Sequence, residues 1–359
     1  MQSKNQTSIL PTGLILVCVM VILGGTGCTN LNVNRIGSRL TPSNDRDWKP
    51  EVATIPFAEI EGSQFTIRNI RNCNYLSEED YVVNYYDRQI SLGEVQSVDF
   101  IVVPFPQTPK LAHTMISFGM SDGTYLAVSV EVRKERGEKF NPVLGLGRQF
   151  ELIYVLSDER DVIRLRTKHR NSEVFVYPTV ATAKQSQSLF RDVMKRVNKL
   201  SVEPEFYNSI TNNCTTNLAG HVNEISAQKK ITYGWKVLLP GLSAEYAYEL
   251  GLLDNRIPFE DLKMIARVNE LADRHYDDPD FSQHIRQSRY KVDRYAQRQA
   301  QREPLLNGRG DEFLQNDTRR GLRAERNTGT STSRRDKPEP VQSQNSPRLR
   351  NGFGVRLSR

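Results

Sequence analysis

The chain has 359 residues, 38% hydrophobic and 25% charged, which is enough apolar material for one large domain or two smaller ones with tails. Its net charge of +7 sits at the end: from residue 301 onward thirteen Lys/Arg stand against seven Asp/Glu, so the first three hundred residues carry only +1. The body offers no obvious basic patch, and nucleic acid is not an expected partner.

Residues 1–28 read as an export segment. Gly13 to Leu23 ("GLILVCVMVIL") is an apolar run of signal-peptide length, too short for a membrane span. The small residues of "GGTGC" end at Cys28 and resemble a bacterial lipoprotein processing site, with Cys28 as the lipidated residue. An ordinary signal peptide or an uncleaved anchor are the alternatives, and export to the periplasmic side follows from all three. Residues 29–58 are polar and turn-rich and read as a tether between membrane and domain.

A domain is expected over residues 59–292. "SQFTIRNI" (63–70) alternates as a strand, and "VDFIVVPF" (98–105) is a nearly continuous apolar run with the look of a buried central strand. "AHTMISFGM" (112–120) and "TYLAVSVEVRKE" (124–135) flank "SDG" and form a hairpin signal. Further strands are expected at 150–156, 162–167 and 173–178.

After Pro178 the period changes. Leu189, Val193 and Val197 recur every four residues in 182–201, which predicts an amphipathic helix. A second helix starts at "NNCTTNLAGH", and a third is expected over 257–276. The pattern is α+β, an antiparallel sheet with helices covering one face. Residues 293–359, rich in Gln, Arg, Asn, Ser, Gly and Pro, read as a disordered basic tail, and the "RGD" at 309–311 is treated as a chance match.

Four cysteines are present: Cys18, Cys28, Cys73 and Cys214. With the first in the leader and the second lipidated, Cys73 and Cys214 remain, and a disulfide between them is one reading. No cysteine or histidine cluster has zinc-ligand spacing, so no metal is expected, and nothing calls for a cofactor.

Cys214 also has a chemical reading. Asn212 or Asn213 is a natural N-cap, which places the thiol in the first turn of a helix. There the helix dipole and the unpaired N–H groups favour an anion, and so a thiolate. A nucleophilic thiol needs a base. His221 is seven residues along the same helix, roughly 10 Å of rise away, and too far. His169, His275 and His284 lie in charged surroundings and read as surface or capping residues.

His113 differs, because it lies within a strand of the hairpin. With a three-residue loop and Gly123 left-handed, Met120 pairs with Thr124, and cross-strand positions sum to 244. His113 then faces Glu131, with Met115, Ser117, Ser129 and Ala127 on the same side. A one-residue change in the loop would move Glu131 to the other face relative to His113, and Ser129 is the substitute candidate. The competing reading is a satisfied strand histidine and a Glu131 salt bridge with Arg133 or a neighbour.

"FTIRNIRNCNY", "AHTMISFGMSDGTYLAVSVEVRKERGE", "FELIYVLSDERDVIRLRT" and "FYNSITNNCTTNL" resemble the Lnb N-terminal periplasmic domain family, formerly a domain of unknown function, over about residues 60–290. The family takes its name from lipoprotein intramolecular transacylase, which moves an acyl chain from the glyceryl of a lipoprotein cysteine to that cysteine's amine. Its members look like permuted papain-like thiol enzymes of the NlpC/P60 type, in which a strand histidine precedes a helix cysteine. The resemblance implies that Cys214 and His113 are catalytic, with Glu131 or Ser129 orienting the ring. It also marks Tyr154, Asp158, Glu159, Arg160 and Asp161 as motif residues; Tyr154, Arg160 and Asn213 are expected at the substrate. The transacylase is polytopic, whereas this sequence shows no hydrophobic span after residue 28, so access to lipid would rest on the anchor and a groove.

The expected function is a cell-envelope thiol acyltransferase or hydrolase acting on an ester or amide carbonyl. Its partners would be the membrane, through a lipid anchor, and an acyl-lipid, lipoprotein or cell-wall peptide substrate. The alternatives are a cell-wall peptide peptidase and a non-enzymatic envelope binding module.

Overall fold

A computed structural model describes residues 41–297, apart from 142, 227–229 and 295. The export segment, Cys28, most of the basic tail and the first part of the tether lie outside the described residues. The rest of the expected tether is not a tether. Trp48 and Val52 are buried, and the Arg133 guanidinium lies 4.2 Å over the Trp48 ring while donating to Val52 O, Ala53 O and Asn44 Oδ1. The polar composition misled because one buried arginine takes up the segment's carbonyls.

The sheet starts with β1 (Phe57–Glu61) and β2 (Gln64–Arg71). A small separate pair follows, β3 (Asn74–Tyr75) and β4 (Tyr81–Val82). Next come β5 (Tyr85–Ser91), β6 (Val95–Phe105), β7 (Thr108–Met120), β8 (Tyr125–Arg133), β9 (Glu151–Asp158) and β10 (Phe175–Pro178). The spatial order is β1-β2-β9-β8-β7-β6-β10, with β5 also on β2. Pairing is antiparallel except where β2 meets β9 at Arg71 and Ser157.

The β7–β8 hairpin has the expected register. Met115 pairs with Ser129 and Gly119 with Tyr125. Gly123 has φ +82°, and its N–H reaches Met120 O at 3.0 Å. That left-handed backbone is what the three-residue loop requires of its glycine.

Helices cover both faces, not one. The first face buries Phe65, Ile116, Phe118, Leu126, Val128 and Val130 under α2 (Ala183–Val202) and α3 (Cys214–Ile225), α1 being the short helix Glu159–Arg164. Phe190 drives its ring edge-on between Phe65 and Phe118, each 5.2 Å away. The second face buries Ile101, Val103, Met115 and Ala127 against Val162 and Ile163 of α1. Short helices follow α3: α4 (Trp235–Leu238), α5 (Ser243–Glu249), α6 (Phe259–Ala266), α7 (Asn269–Arg274) and α8 (Phe281–His284). Ala272 of α7 and Phe281 of α8 complete the second core.

Two expected elements differ. "VIRLRT" (162–167) alternates but is not a strand. Asp158 accepts from the Arg160 N–H and starts α1, which runs into a wide turn at Leu165–His169. Arg164 lies over the Tyr276 ring at 4.3 Å and Arg166 is buried. The helix expected over 257–276 is interrupted at Arg267 and Val268, where Arg267 makes a β-bridge to Phe175. The motif "SDERD" is more than a turn closed by local pairs. Arg160 does pair with Asp158, but Asp161 and Glu159 are fully buried and bind Arg71 and Arg286 from distant segments.

Candidate active site

Asn213 is the N-cap of α3. Its side chain accepts from the Thr216 N–H at 2.9 Å, and Thr216 Oγ1 takes the Asn213 N–H in return, also at 2.9 Å. The preceding loop is closed locally, with Asn208 Oδ1 accepting from Ile210 and Thr211 N–H. Cys214 therefore stands at the first helical position, buried, with its sulfur 3.8 Å from Thr215 Oγ1. Asn213→Ala removes the reciprocal cap and is expected to cost about 1 kcal/mol in a urea unfolding titration.

The helix is anchored from its far side. His221 Nδ1 lies 2.6 Å from Asp192 Oδ2 on α2, and Nε2 lies 2.8 Å from the Tyr154 hydroxyl on β9. The cysteine's own helix thus uses its histidine to hold position, not to meet the thiol. Tyr154 is 2% exposed, and burial pushes its phenol pKa up. It braces the helix away from the cavity described next.

His113, Ser129 and Glu131 share one face of the sheet. Ser129 Oγ lies 2.7 Å from His113 Nε2 and donates to Glu131 Oε1 at 2.7 Å. His113 and Glu131 are 3.9 Å apart, so the serine stands between them and the carboxylate does not hold the ring directly. A hydroxyl has one hydrogen. Ser129 gives it to the carboxylate and must accept from His113, which assigns the proton to Nε2 and the lone pair to Nδ1.

Burial opposes ionisation of Glu131, but Arg166 at 3.1 Å, Arg71 and the Ser129 hydrogen bond outweigh it and hold the carboxyl well below its usual range. Burial, with the Arg166 charge adding to it, pushes His113 down to about 3, against the pull of Glu131. His113 is therefore neutral near pH 7. The unfolded ring takes a proton near 6.5 and the folded ring only near 3. Its contribution is present above pH 6.5 and is lost as pH falls towards 3. Over that window wild type is expected to lose up to about 1.4 kcal/mol per pH unit more than His113→Gln, in urea titrations at stepped pH.

The cysteine helix does not lie over the histidine's face. Thr114 Oγ1 bonds Thr215 Oγ1 at 3.1 Å, and Cys214 packs with Ile116 and Val128 on the opposite face. The strands resolve this by separating. β7 and β8 pair only as far as Met115 and Ser129, while β7 stays with β6 out to Ala112 and beyond, and β8 stays with β9 to Arg133. A cavity of about 270 Å³ is lined by residues from both sides of this split. Its walls include His113 and Glu131 from one face, Val130 and Val132 from the other, and Cys214 with Asn213 at the helix start. Among the described residues no hydrogen bond joins the Cys214 sulfur to the His113 ring.

Arg160 is elsewhere. It pairs with Asp158 beside a separate cleft lined by Arg88 and Tyr125, and does not line the cavity with Cys214. Sequence reasoning missed Arg166 and Tyr207. Arg166 was hidden in an apparent strand. Tyr207 lines the cavity just before the cysteine loop, its phenol pKa pushed up chiefly by burial. Both cysteines are free; Cys73 packs with Tyr75 and Leu165 in a different cluster.

Residues 81–241 match the Lnb N-terminal periplasmic domain family. The Lnb segment contains every cavity residue named above, and its description as a periplasmic domain implies an exported location. No curated protein and no solved structure matches the chain. No helix among the described residues is long and apolar enough to cross a membrane.

Proposed function

We propose that the protein is a cell-envelope thiol acyltransferase or hydrolase. The observation that carries this reading is one cavity lined by a thiol at a capped helix start and by a neutral histidine of defined tautomer. Nδ1 of His113 takes the Cys214 proton, and the thiolate attacks an ester or amide carbonyl. The cap uses the Thr216 N–H, so the first-turn N–H groups of Cys214 and Thr215 are the donors for the developing oxyanion. His113 returns the proton to the departing alcohol or amine, leaving an acyl thioester on Cys214. Water or an acceptor amine then takes the acyl group and restores the thiol. Ser129 and Glu131 hold the ring in place.

The walls favour acyl substrates: Val103, Phe105, Leu111, Val130, Val132 and Phe140 line the cavity that Cys214 shares. Membrane attachment through Cys28 would bring this cavity to acyl-lipids or lipoproteins. A peptidase acting on cell-wall peptides is the second reading, favoured by Lys134 and Arg170 in the same lining, which suit peptide carboxylates. A papain-like arrangement accords with either. The test is intact-mass spectrometry of the purified protein after exposure to an activated p-nitrophenyl acyl ester and, separately, to peptidoglycan stem peptides. A thioester mapped to Cys214 after the ester supports acyl transfer, whereas cleaved stems favour the peptidase. Neither product leaves only the binding module.

A further inference from the structure

His275, Asp278 and His284 lie outside the Lnb segment and outside the cavity. They come from the end of α7, the turn that follows it, and the last residue of α8. Their ligand atoms converge. One ligand atom from each residue lies within 4.8 Å of the other two. His275 Nδ1 is 3.3 Å and His284 Nδ1 is 2.9 Å from the same oxygen, Asp278 Oδ2. Ligands on a tetrahedral zinc ion, at bond lengths of about 2.0–2.1 Å, sit roughly 3.3 Å apart, and the two nitrogen-to-carboxylate edges lie close to that spacing.

The two contacts differ: His275 Nδ1 is hydrogen-bonded to Asp278 Oδ2, whereas the His284 contact lacks hydrogen-bond geometry. His284 Nδ1 is buried from water and has no hydrogen-bond partner, although it is 2.9 Å from the carboxylate. The centroids of the two imidazole rings lie 4.1 Å apart, with the ring planes tilted by 37°. The carboxylate is aimed by the backbone: Asp278 Oδ1 accepts from the Asp280 N–H at 2.8 Å, which turns Oδ2 towards the histidines. The platform is rigid, since Ala272, Phe281 and Ile285 are buried in the second core. The three side chains are partly exposed, at 20–29%, leaving one side open to water.

We propose that His275, Asp278 and His284 bind one divalent transition-metal ion, Zn²⁺ first, with water completing the coordination. Two imidazoles and a carboxylate are a borderline ligand set that suits such ions better than Ca²⁺ or Mg²⁺. The bound ion ties α7 to α8, and so to Arg286, the next turn's buried anchor.

The experiment uses untagged, EDTA-stripped full-length protein titrated with Zn²⁺ by calorimetry, alongside a thermal melt with and without Zn²⁺. One equivalent is expected, with a raised melting temperature. His284→Ala and the milder Asp278→Asn should each weaken binding at least ~100-fold and abolish the thermal shift, because each removes a direct ligand. Cys214→Ser should retain the full equivalent. The melts without zinc report whether each variant is folded. No saturable zinc binding by wild type would overturn the proposal, as would an equivalent that survives in folded His284→Ala or is lost in Cys214→Ser.

Discussion

Arg286→Met is expected to destabilise the protein by about 3–5 kcal/mol, a larger loss than removal of the α3 cap would bring. Arg286 is nearly inaccessible and spans two carboxylates. It donates to Glu159 Oε2 at 2.7 Å and to Asp99 Oδ2 at 2.8 Å, while its guanidinium lies 3.4 Å over the Tyr125 ring. Glu159 is 0% exposed. Methionine fills much of the volume but leaves that carboxylate without a cation. Arg289 still reaches Asp99, so the loss falls mainly on Glu159. The check is the midpoint of a urea titration, with the double variant Arg286→Met/Glu159→Leu expected to regain most of the stability. A single-variant loss below about 1 kcal/mol would show that water reaches the pair.

The second large effect is chemical. With an activated ester, His113→Ala should slow acylation of Cys214 by roughly 10²–10⁴, the usual worth of a positioned base. Cys214→Ser should remove the thioester altogether. Ser129→Ala should cost less, about 10–100-fold, because the ring remains but loses the contact that assigns its tautomer. Stopped-flow release of p-nitrophenolate measures all three. If Ser129→Ala equals wild type while His113→Ala is slow, the relay through Ser129 to Glu131 has no part in positioning the ring.

Much of this site could be read from the residues, because its signals are local. Asp122-Gly123 defines the hairpin loop, the loop sets the register, and the register puts His113, Ser129 and Glu131 on one face. Asn213 before Cys214 defines the cap. What could not be read depends on long-range packing. The separation of β7 from β8 has no signature in either strand, so the opposite-face placement of Cys214 was invisible. A buried arginine looks like a solvated one in sequence. Arg133 therefore disguised a packed segment as a tether, and Arg164 and Arg166 disguised a helix as a strand. His275, Asp278 and His284 likewise converge only because α7 stops after Arg274 and the chain turns back.

The most direct measurement of the central claim is the rate of iodoacetamide labelling at Cys214 against Cys73 in the same folded molecule, at mildly acidic pH. Cys73 is an internal standard: burial, with Asp161 nearby, pushes its thiol up to about 12. It should react only when the protein unfolds. Cys214, at a helix start on a cavity shared with His113, should label much faster, and His113→Ala should slow it. Cys214 labelling no faster than Cys73 would contradict the account.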